Sequence, residues 1–227
     1  ETTLAVSFAD LNRGMEIDRV DVEVLEHQRR AEPPVLGANG RTRDFVVCGR
    51  VLPGHELQIR DHDGLPLGER RVGLVMVRGP SLMRGYDGRP DETARVMDPD
   101  GWLDTGDLGY LAEGRLVITG RAKDVIIVNG RNIWPHDIEH TVEQLETLRT
   151  GDAAVFAIDD ARSERAVVLV QCRTGDAAAR LALAHAVGAA VSRVHGIEPQ
   201  VVLVANNALP QTSSGKLSRS AARAAFL

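Results

Sequence analysis

Residues 120–139 read GRAKDVIIVNGRNIWPHDIE, and this stretch decides how the second half of the chain folds. Its Asn129-Gly130 pair stands between apolar flanks, which is the strongest short-range signal for a β-hairpin. Pro135 suits the first turn of a helix, where its missing N–H is not needed. Apolar residues then recur at spacings of four, three and three: Ile138, Val142, Leu145 and Leu148. These spacings place them on one helical face, so the stretch predicts a hairpin followed by an amphipathic helix.

Downstream of this stretch, strand-like and helix-like runs alternate. The apolar runs AAVFAI at 153–158, AVVLVQC at 166–172 and QVVLVA at 200–205 predict strands. An Ala/Leu-rich run near 176–194 and the segment from about 217 predict helices. Residues 122–227 are therefore expected to form a small α+β domain with its own core.

Upstream, short apolar runs are broken by Gly, Pro and Asp turns, which predicts a β-rich subdomain over residues 1–121. The pattern is closer to a distorted barrel or sandwich than to βαβ units, and the fold class of the whole chain is α+β. One piece, at 26–43, is charged and carries a Pro pair. Its composition suits either a surface loop or an insertion.

The composition excludes several classes of function. The 227 residues carry a formal charge of −5 with no clustered basic stretch, which argues against nucleic acid as a main partner. The longest helix-like apolar run, at 181–191, is far below the roughly 20 residues that a membrane span needs. Cys48 and Cys172 lie far apart without metal-ligand spacing and are expected to be buried thiols. We expect a cytoplasmic protein that does not cross a membrane.

The first candidate site is DTGDLGYL at 104–111, in which Asp107 follows a Thr-Gly pair. An ionised carboxylate has two acceptor oxygens, so Asp107 suits binding of two neighbouring hydroxyls, as on a ribose. The same residue types also suit an Asx-turn between strands. The octapeptide alone leaves both interpretations open.

The second candidate site is the beginning of the 120–132 stretch, where Arg121 and Lys123 follow a glycine. The fork of an arginine suits phosphate, and a charged pair beside a glycine suits a hinge whose backbone must change conformation. The alternative is an edge strand whose charges prevent aggregation.

The third candidate site is LPQTSSGKLSR at 209–219, a Pro-bounded polar loop that presents Lys216. A phosphate-binding P-loop would need Gly six residues before this lysine and Ser or Thr just after it, but Pro210 and Leu217 occupy those places. What remains is a mobile lysine on a flexible loop, able to neutralise charge on a transferring phosphoryl group. The alternative is a polar loop with a helix-capping serine.

Taken together and in order, the motifs at 105–109, 120–139 and 209–219 resemble the C-terminal signature of the adenylate-forming superfamily. This superfamily includes acyl-CoA synthetases, nonribosomal adenylation domains and fatty acyl-AMP ligases. The start of the chain, the VVCGR segment and GRNIWPHDIE are most similar to fatty acyl-AMP ligases. The sequence departs from the family pattern at Trp134 and at Asp104.

The resemblance implies roles for single residues in an enzyme that uses ATP and Mg²⁺. Asp107 would bind the ribose hydroxyls of ATP, and Arg121 would contact the ribose and phosphate side. Lys216 would be the catalytic lysine that bridges the acyl carboxylate and the α-phosphate. Glu1 would be the residue that helps to hold Mg²⁺.

The resemblance also implies a moving domain. Residues 122–227 would be a cap that rotates about a hinge at Lys123, and residues 1–121 would be the last β-rich subdomain of a larger domain. After the rotation, Gly130 would lie where the pantetheine arm of the acyl acceptor enters. Because the family's phosphate loop and acyl pocket would precede the first residue, we expect the isolated chain to be inactive.

The function implied is an ATP-dependent ligase that forms acyl-AMP from a carboxylic acid, most similar to those that activate fatty acids. It would release pyrophosphate and pass the acyl group to an acyl carrier protein. The alternatives are an acyl-CoA synthetase with CoA as acceptor, an amino-acid adenylation domain, and a noncatalytic module that docks a carrier protein.

Overall fold

The computed structural model describes residues 2, 5–12, 14–37, 39–159, 164–213 and 215–227. The chain divides into two units, Glu1–Lys123 and Asp124–Leu227. Each unit has a hydrophobic core of its own. Among the described residues, no helix combines the length and the apolar character needed to cross a membrane.

The first unit is built on an antiparallel sheet. Its strands are β1 (Ser7–Phe8), β2 (Ile17–Asp21), β3 (Thr42–Val51), β4 (Glu56–Arg60), β5 (Gly73–Arg78), β6 (Leu103–Ala112) and β7 (Arg115–Arg121). They lie in the order β1-β3-β7-β6-β5-β4, and β2 pairs with the first half of β3. The sheet curls into half a barrel, which confirms the predicted β-rich, barrel-like architecture.

Two short helices accompany this sheet, α1 (Val22–Gln28) and α2 (Pro90–Val96). Helix α1 begins because the Asp21 carboxylate accepts hydrogen bonds from the first amides of the helix, at 2.8 and 3.1 Å. Helix α2 begins with a proline, which needs no hydrogen-bond acceptor there. The described residues between α1 and β3 form no further helix, and Arg30 alone forms an isolated bridge, to Arg71. The segment for which the sequence suggested a loop or an insertion, 26–43, includes these residues together with the end of α1 and the start of β3.

The interior of the first unit is mostly apolar and includes a few buried polar groups. Ile59, Val75, Val77 and Leu116 form a buried cluster. Tyr110 is fully buried, and its hydroxyl donates a 2.6 Å hydrogen bond to Asp18. Burial raises the pKa of Tyr110 well above its usual range, so the phenol stays protonated and remains a donor.

The second unit begins with a hairpin and continues as a mixed sheet with three helices. The strands are β8 (Ile126–Val128), β9 (Arg131–Ile133), β10 (Ala153–Asp159), β11 (Glu164–Cys172) and β12 (Gln200–Ala205). The helices are α3 (Pro135–Glu143), α4 (Ala177–His195) and α5 (Arg219–Phe226). Strand β11 lies in the middle, antiparallel to β10 and parallel to β12, and α4 makes the crossover that a parallel pair requires.

Strand β11 is buried on both faces, and successive residues on it belong to two different cores. Val168 and Val170 pack with residues of α3 and α4. Val167 and Leu169 pack on the other side with Ala222 of α5. Since alternate side chains of a strand point to opposite faces, the sheet is covered by helices on both sides.

The predicted elements of the second unit are present, with one correction among them and one that concerns a cysteine of the first unit. The hairpin, the three strands and the helices lie where the sequence predicted them, within a few residues. Helix α3 ends at Glu143, so Leu145 and Leu148 lie beyond it, although both still pack on the core that contains Ile138. Of the two free thiols, Cys172 is buried but Cys48 is only partly buried, so the prediction for Cys48 was wrong.

Candidate functional site

Asp107 and Arg121 face each other across two neighbouring strands of the first unit. Asp107 on β6 pairs directly with Arg121 on β7. The Arg121 Nε donates to the Asp107 Oδ1 at 2.8 Å, and the side chain of Arg121 is 55% exposed and that of Asp107 29%. A carboxylate and a guanidinium thus lie side by side at a position that a ligand can reach.

The residues before Asp107 explain why its side chain points toward Arg121. The Asp104 carboxylate accepts a 2.8 Å hydrogen bond from the Gly106 amide, which forms an Asx-turn inside the strand. Thr105 donates through Oγ1 to the carbonyl of Val75 at 2.9 Å. Gly106 has φ +69°, a conformation that other residues rarely adopt. The Asx-turn considered from the sequence therefore forms at Asp104, and Asp107 is used for the pair with Arg121.

Lys123 and Gly130 occupy two exposed positions that follow. Lys123 lies in a short 3-10 helix, Ala122–Asp124, directly after β7, and its side chain is exposed. Gly130 is the second residue of the turn between β8 and β9, where Asn129 and Gly130 have φ +52° and +75°. Positive φ at both positions is what a two-residue hairpin turn of this twist requires. The Asn-Gly hairpin prediction is confirmed.

Lys216 lies on a loop that is closed by its own hydrogen bonds. The Lys216 carbonyl accepts from the Thr212 amide at 2.7 Å, and the Gly215 amide donates to the Thr212 carbonyl at 2.9 Å. Gln211 and Leu217, on either side of this turn, form an isolated antiparallel β-bridge. The Lys216 side chain is exposed. These bonds hold the described backbone on either side of Lys216, while its side chain extends into solvent. The mobility expected of this loop stays a prediction.

The loop continues into α5 through Arg219, a residue to which the sequence analysis gave no role. Ser218 caps the helix, with its hydroxyl accepting from the Ala221 amide at 3.4 Å. Arg219 Nε and Nη2 donate to the two carboxylate oxygens of Glu139 at 2.8 and 2.5 Å. Its Nη1 donates to Asp124 at 3.3 Å. Both the capping serine and the exposed lysine that the loop sequence suggested are present.

Glu139 is the centre of this network, and its side chain is only 9% exposed. Besides the two bonds from Arg219, its carboxylate accepts a 3.0 Å hydrogen bond from the amide of Val155 on β10. The hydrogen bonds to Glu139 raise the pKa of the Arg219 guanidinium above its usual range. The network therefore joins α3, β10 and the residue that begins α5.

One compositional signal points to the lysines independently of the motifs. Among the 27 basic residues of the chain, 25 are arginine and only Lys123 and Lys216 are lysine. A sequence that uses arginine almost everywhere has lysine at the two positions for which the motifs predict a hinge and a catalytic cation. Arginine and lysine differ in shape and hydration, so a compact ammonium is not replaced equally well by a planar guanidinium.

Of the predicted site residues, the structure brings Asp107 and Arg121 into direct contact. Asp107, Arg121 and Lys123 belong to the first unit, and Gly130 and Lys216 belong to the second. Glu1, the predicted magnesium ligand, lies outside the described residues. Over the described ranges, no group of three or more His, Cys, Asp and Glu side chains is arranged to hold a metal ion.

Comparison with known proteins gives a consistent set of relatives. Residues 123–227 match the family model described as Disco-interacting protein 2-like, AMP domain. A Caulobacter vibrioides protein provisionally named an acyl-CoA synthetase is 51% identical over 228 residues, which cover 100% of this chain and 40% of the relative. A medium-chain-fatty-acid–[acyl-carrier-protein] ligase from Moorena producens is 34% identical over 240 residues, which cover 100% of this chain and 40% of the relative.

One solved structure has a similar fold along nearly the whole length of this chain. It comes from a study of fatty acyl-adenylate ligases from E. coli and L. pneumophila, with a TM-score of 0.89 at 42% identity. The match covers 98% of this chain and 39% of that one. The chain thus spans about 40% of the length of the relatives that it matches.

Proposed function

Because the chain belongs to the adenylate-forming superfamily, we propose that it is part of an enzyme that activates a carboxylic acid as an acyl adenylate. The observation that carries this proposal is the Asp107–Arg121 pair, a half-exposed carboxylate and guanidinium in direct contact on adjacent strands. The relatives, whose names describe acyl-activating ligases, support the same reaction class.

The pair suits a nucleotide because its two groups would bind different parts of ATP. A carboxylate accepts hydrogen bonds from two neighbouring hydroxyls, and Asp107 would hold the ribose diol in this way. Arg121 uses its Nε for the contact with Asp107. A guanidinium carries four further N–H donors in a planar fork, and with these Arg121 would contact the ribose and phosphate side.

The bond-forming step needs a cation more than it needs an acid or a base. An oxygen of the substrate carboxylate attacks the α-phosphorus of ATP, the bond from that phosphorus to the pyrophosphate oxygen breaks, and pyrophosphate leaves without any proton transfer. Two anionic groups must approach each other, and a positioned positive charge lowers the free energy of the transition state. Lys216, exposed on a backbone held by Thr212, would place its ammonium between the carboxylate and the α-phosphate.

Mg²⁺ is the other cofactor that the family resemblance implies, and in proteins it usually binds through the phosphates of the substrate together with one or two carboxylates. When bound, it would neutralise the charge of the leaving pyrophosphate. Glu1, the implied ligand, lies outside the described residues, and no cluster of metal-ligating side chains occurs among the described ones. Binding of Mg²⁺ would therefore depend on the phosphates of ATP and on Glu1 and not on a cluster of three described side chains.

The second half of the reaction would transfer the acyl group to a thiol of an acyl carrier protein. The thiolate attacks the acyl carbon of the adenylate, and AMP leaves. Gly130 lies at an exposed turn with open space where a side chain would be, which suits the close passage of a slender pantetheine arm. Rotation about Lys123 would bring this turn to the adenylate in place of Lys216.

The acceptor and the acid are inferred from the relatives. The Moorena producens ligase, by its name, uses a medium-chain fatty acid and an acyl carrier protein, and the matched structure comes from fatty acyl-adenylate ligases. We therefore favour a fatty acid and a carrier protein. The provisional name of the Caulobacter vibrioides relative favours CoA as the alternative acceptor. Acyl transfer from the same adenylate to carrier protein and to CoA, measured side by side, decides between them.

The test of activation is acid-dependent exchange of labelled pyrophosphate into ATP by the whole gene product. Lys216→Ala is expected to lower the exchange rate about 10²-fold or more, because a single preorganised electrostatic contact is typically worth that much. Lys216→Arg keeps the charge and is expected to lower the rate about 10-fold, because arginine presents a planar fork instead of a compact ammonium. An unchanged rate in Lys216→Ala would refute the catalytic role and favour a noncatalytic module that docks a carrier protein.

A further inference from the structure

Arg219 connects the Lys216 loop to the rest of the second unit. It is the first residue of α5 and stands three positions after Lys216. Its bonds to Glu139 are bidentate, at 2.8 and 2.5 Å, and a bidentate arginine–carboxylate pair fixes orientation as well as distance. The carboxylate of Glu139 is itself fixed by the Val155 amide of the central sheet. The start of α5 is therefore held against a rigid part of the unit.

The loop that carries Lys216 is closed by hydrogen bonds between its own residues, and it is attached to the rest of the second unit at its two ends. Inside it, Thr212 bonds to Lys216, and the Ser218 amide donates to the carbonyl of Pro210 at 2.9 Å. At one end Leu209 is buried in the core beneath α5. At the other end the loop is attached through Arg219. Because the loop is closed by its own bonds, its orientation depends on these two attachments.

The third contact of Arg219 extends the attachment to the beginning of the unit. Asp124 follows Lys123 directly and is the first residue of the second unit. Its carboxylate accepts from Arg219 Nη1 at 3.3 Å, and both side chains are at least three-quarters buried. The loop of Lys216 and the segment next to the predicted hinge are therefore joined through one side chain.

We propose that Arg219 is a positioning residue for acyl adenylation, which through Glu139 and Asp124 holds the Lys216 loop in the orientation that the reaction needs. This inference rests on the proposed function, because it assigns Arg219 to the half-reaction in which Lys216 acts. Arg219 itself need not touch either substrate. Its effect on the rate comes from the placement of the ammonium three residues away, and a misplacement of about 1 Å can cost about 10²-fold in rate.

The matched test compares Arg219→Lys with Arg223→Lys in the whole gene product. Arg223 lies one turn further along α5, donates to the Ala157 carbonyl at 3.0 Å and is half exposed. Both changes keep the charge and remove the fork. We expect Arg219→Lys to lower kcat for pyrophosphate exchange 10- to 100-fold while KM for ATP and for the acid stays within about 3-fold. Arg223→Lys is expected to change neither constant more than about 2-fold.

A second readout separates positioning from a general loss of structure. Acyl transfer from preformed acyl adenylate does not use Lys216 in the proposed mechanism, so Arg219→Lys should leave its rate within about 2-fold of the unmodified protein. Amide hydrogen exchange at residues 212, 213 and 215–217 should be at least about 10-fold faster in Arg219→Lys. Equal losses in both half-reactions would mean a merely structural role and would overturn the proposal.

A milder variant keeps the inference testable if Arg219→Lys does not fold. Asp124→Ala leaves the Glu139–Arg219 pair intact and removes only the third contact. We expect kcat for exchange to fall about 3- to 10-fold, since the loop then loses only part of its attachment. Asp159→Ala, which removes the exposed partner of Arg223 at 4.0 Å, is the control and should have no effect. Identical rates in the two variants would overturn the proposal.

The Lys216→Ala variant, run in parallel, separates this inference from the function on which it depends. If Lys216→Ala leaves exchange unchanged, the proposed function fails. If Lys216→Ala abolishes exchange while Arg219→Lys behaves like Arg223→Lys, the function stands and the positioning role of Arg219 is wrong.

Discussion

Two of the arginine–carboxylate pairs of this chain have nearly the same chemistry and opposite surroundings. Arg121 and Asp107 meet at 2.8 Å with side chains that are 55% and 29% exposed. Arg219 and Glu139 meet at 2.5 Å with side chains that are 25% and 9% exposed. The first pair contacts solvent and would be rearranged easily by a ligand. The second pair is largely desolvated and receives a further bond from the sheet.

This difference separates a binding role from a positioning role. An exposed pair contributes little to stability, because water competes for both charges, so its residues are available for a substrate. A buried pair that loses one partner leaves a charge without compensation, which costs several kcal/mol. The two pairs should therefore respond in opposite ways when stability and nucleotide binding are measured on the same variants.

The largest expected effect is on stability, from Glu139→Ala. This change leaves the guanidinium of Arg219 without its bidentate partner and the Val155 amide without its acceptor. We expect the free energy of unfolding of the second unit to fall by about 3 kcal/mol. Urea unfolding of the 227-residue chain, followed by fluorescence of the buried Trp134 in a Trp102→Phe background that removes the second tryptophan of that chain, measures this unit specifically.

The control is Glu146→Ala, an exposed glutamate just beyond the same helix. Its removal should change the free energy of unfolding by less than about 0.5 kcal/mol. If Glu139→Ala is as mild as this control, the buried pair does not stabilise the unit, and the contrast between the two arginines disappears.

The next effect, on binding, comes from Arg121→Ala. Because the Arg121–Asp107 pair is exposed, the free energy of unfolding should change by less than about 1 kcal/mol. Loss of a charge-assisted contact to the nucleotide is worth about 1.5–3 kcal/mol, so the affinity of the whole gene product for ATP should fall at least about 10-fold. Titration calorimetry with ATP measures the affinity directly.

Arg19→Ala is a close structural match for this experiment. Arg19 and Asp44 also stand directly opposite each other on neighbouring strands of the first unit, with an exposed Nε–Oδ1 contact at 2.6 Å. The sequence motifs give this pair no role. Its removal should leave ATP affinity unchanged, and an equal loss in both variants would show that Arg121 acts through general charge and not through a specific contact.

Much of the fold and some of the site were predictable from local sequence. The Asn129-Gly130 turn, the helix that begins at Pro135 and the strands of the second unit depend on neighbouring residues, and local patterns report such elements. The contact of Asp107 with Arg121 could not be predicted in the same way. It depends on the register between β6 and β7, which includes a shift between Leu108 and Gly109.

The positioning network was not predictable, because its members are distant in sequence. Arg219 and Glu139 are 80 positions apart and meet only after α3 and α5 have packed on opposite faces of the sheet. The hydrogen bonds within the Lys216 loop were also not predicted. Ser, Thr and Gly are typical of flexible loops, but here Thr212 supplies the hydrogen bonds that close the turn.

The smallest of these expected effects concerns a third arginine–carboxylate pair, in which one partner is buried and the other is partly exposed. Asp152 is buried, with its side chain 4% exposed, whereas its partner Arg173 is 37% exposed. Hydrogen bonds from Arg173 hold the pKa of the Asp152 carboxyl below its usual range. A carboxyl whose pKa is lower in the folded state contributes stability above its unfolded-state pKa of about 3.9. That contribution is lost as the pH falls through the folded-state pKa.

The free energy of unfolding of the chain, compared with that of Asp152→Asn, should therefore show a difference that is constant near neutral pH and shrinks below about pH 4. Carboxylates elsewhere in the chain are common to both proteins, so their titration cancels in the difference. A difference that does not depend on pH would mean that the asparagine loses packing or hydrogen bonds and not the charge interaction. In that case the charge of a partly exposed arginine stabilises a buried carboxylate no better than it does in the exposed pairs.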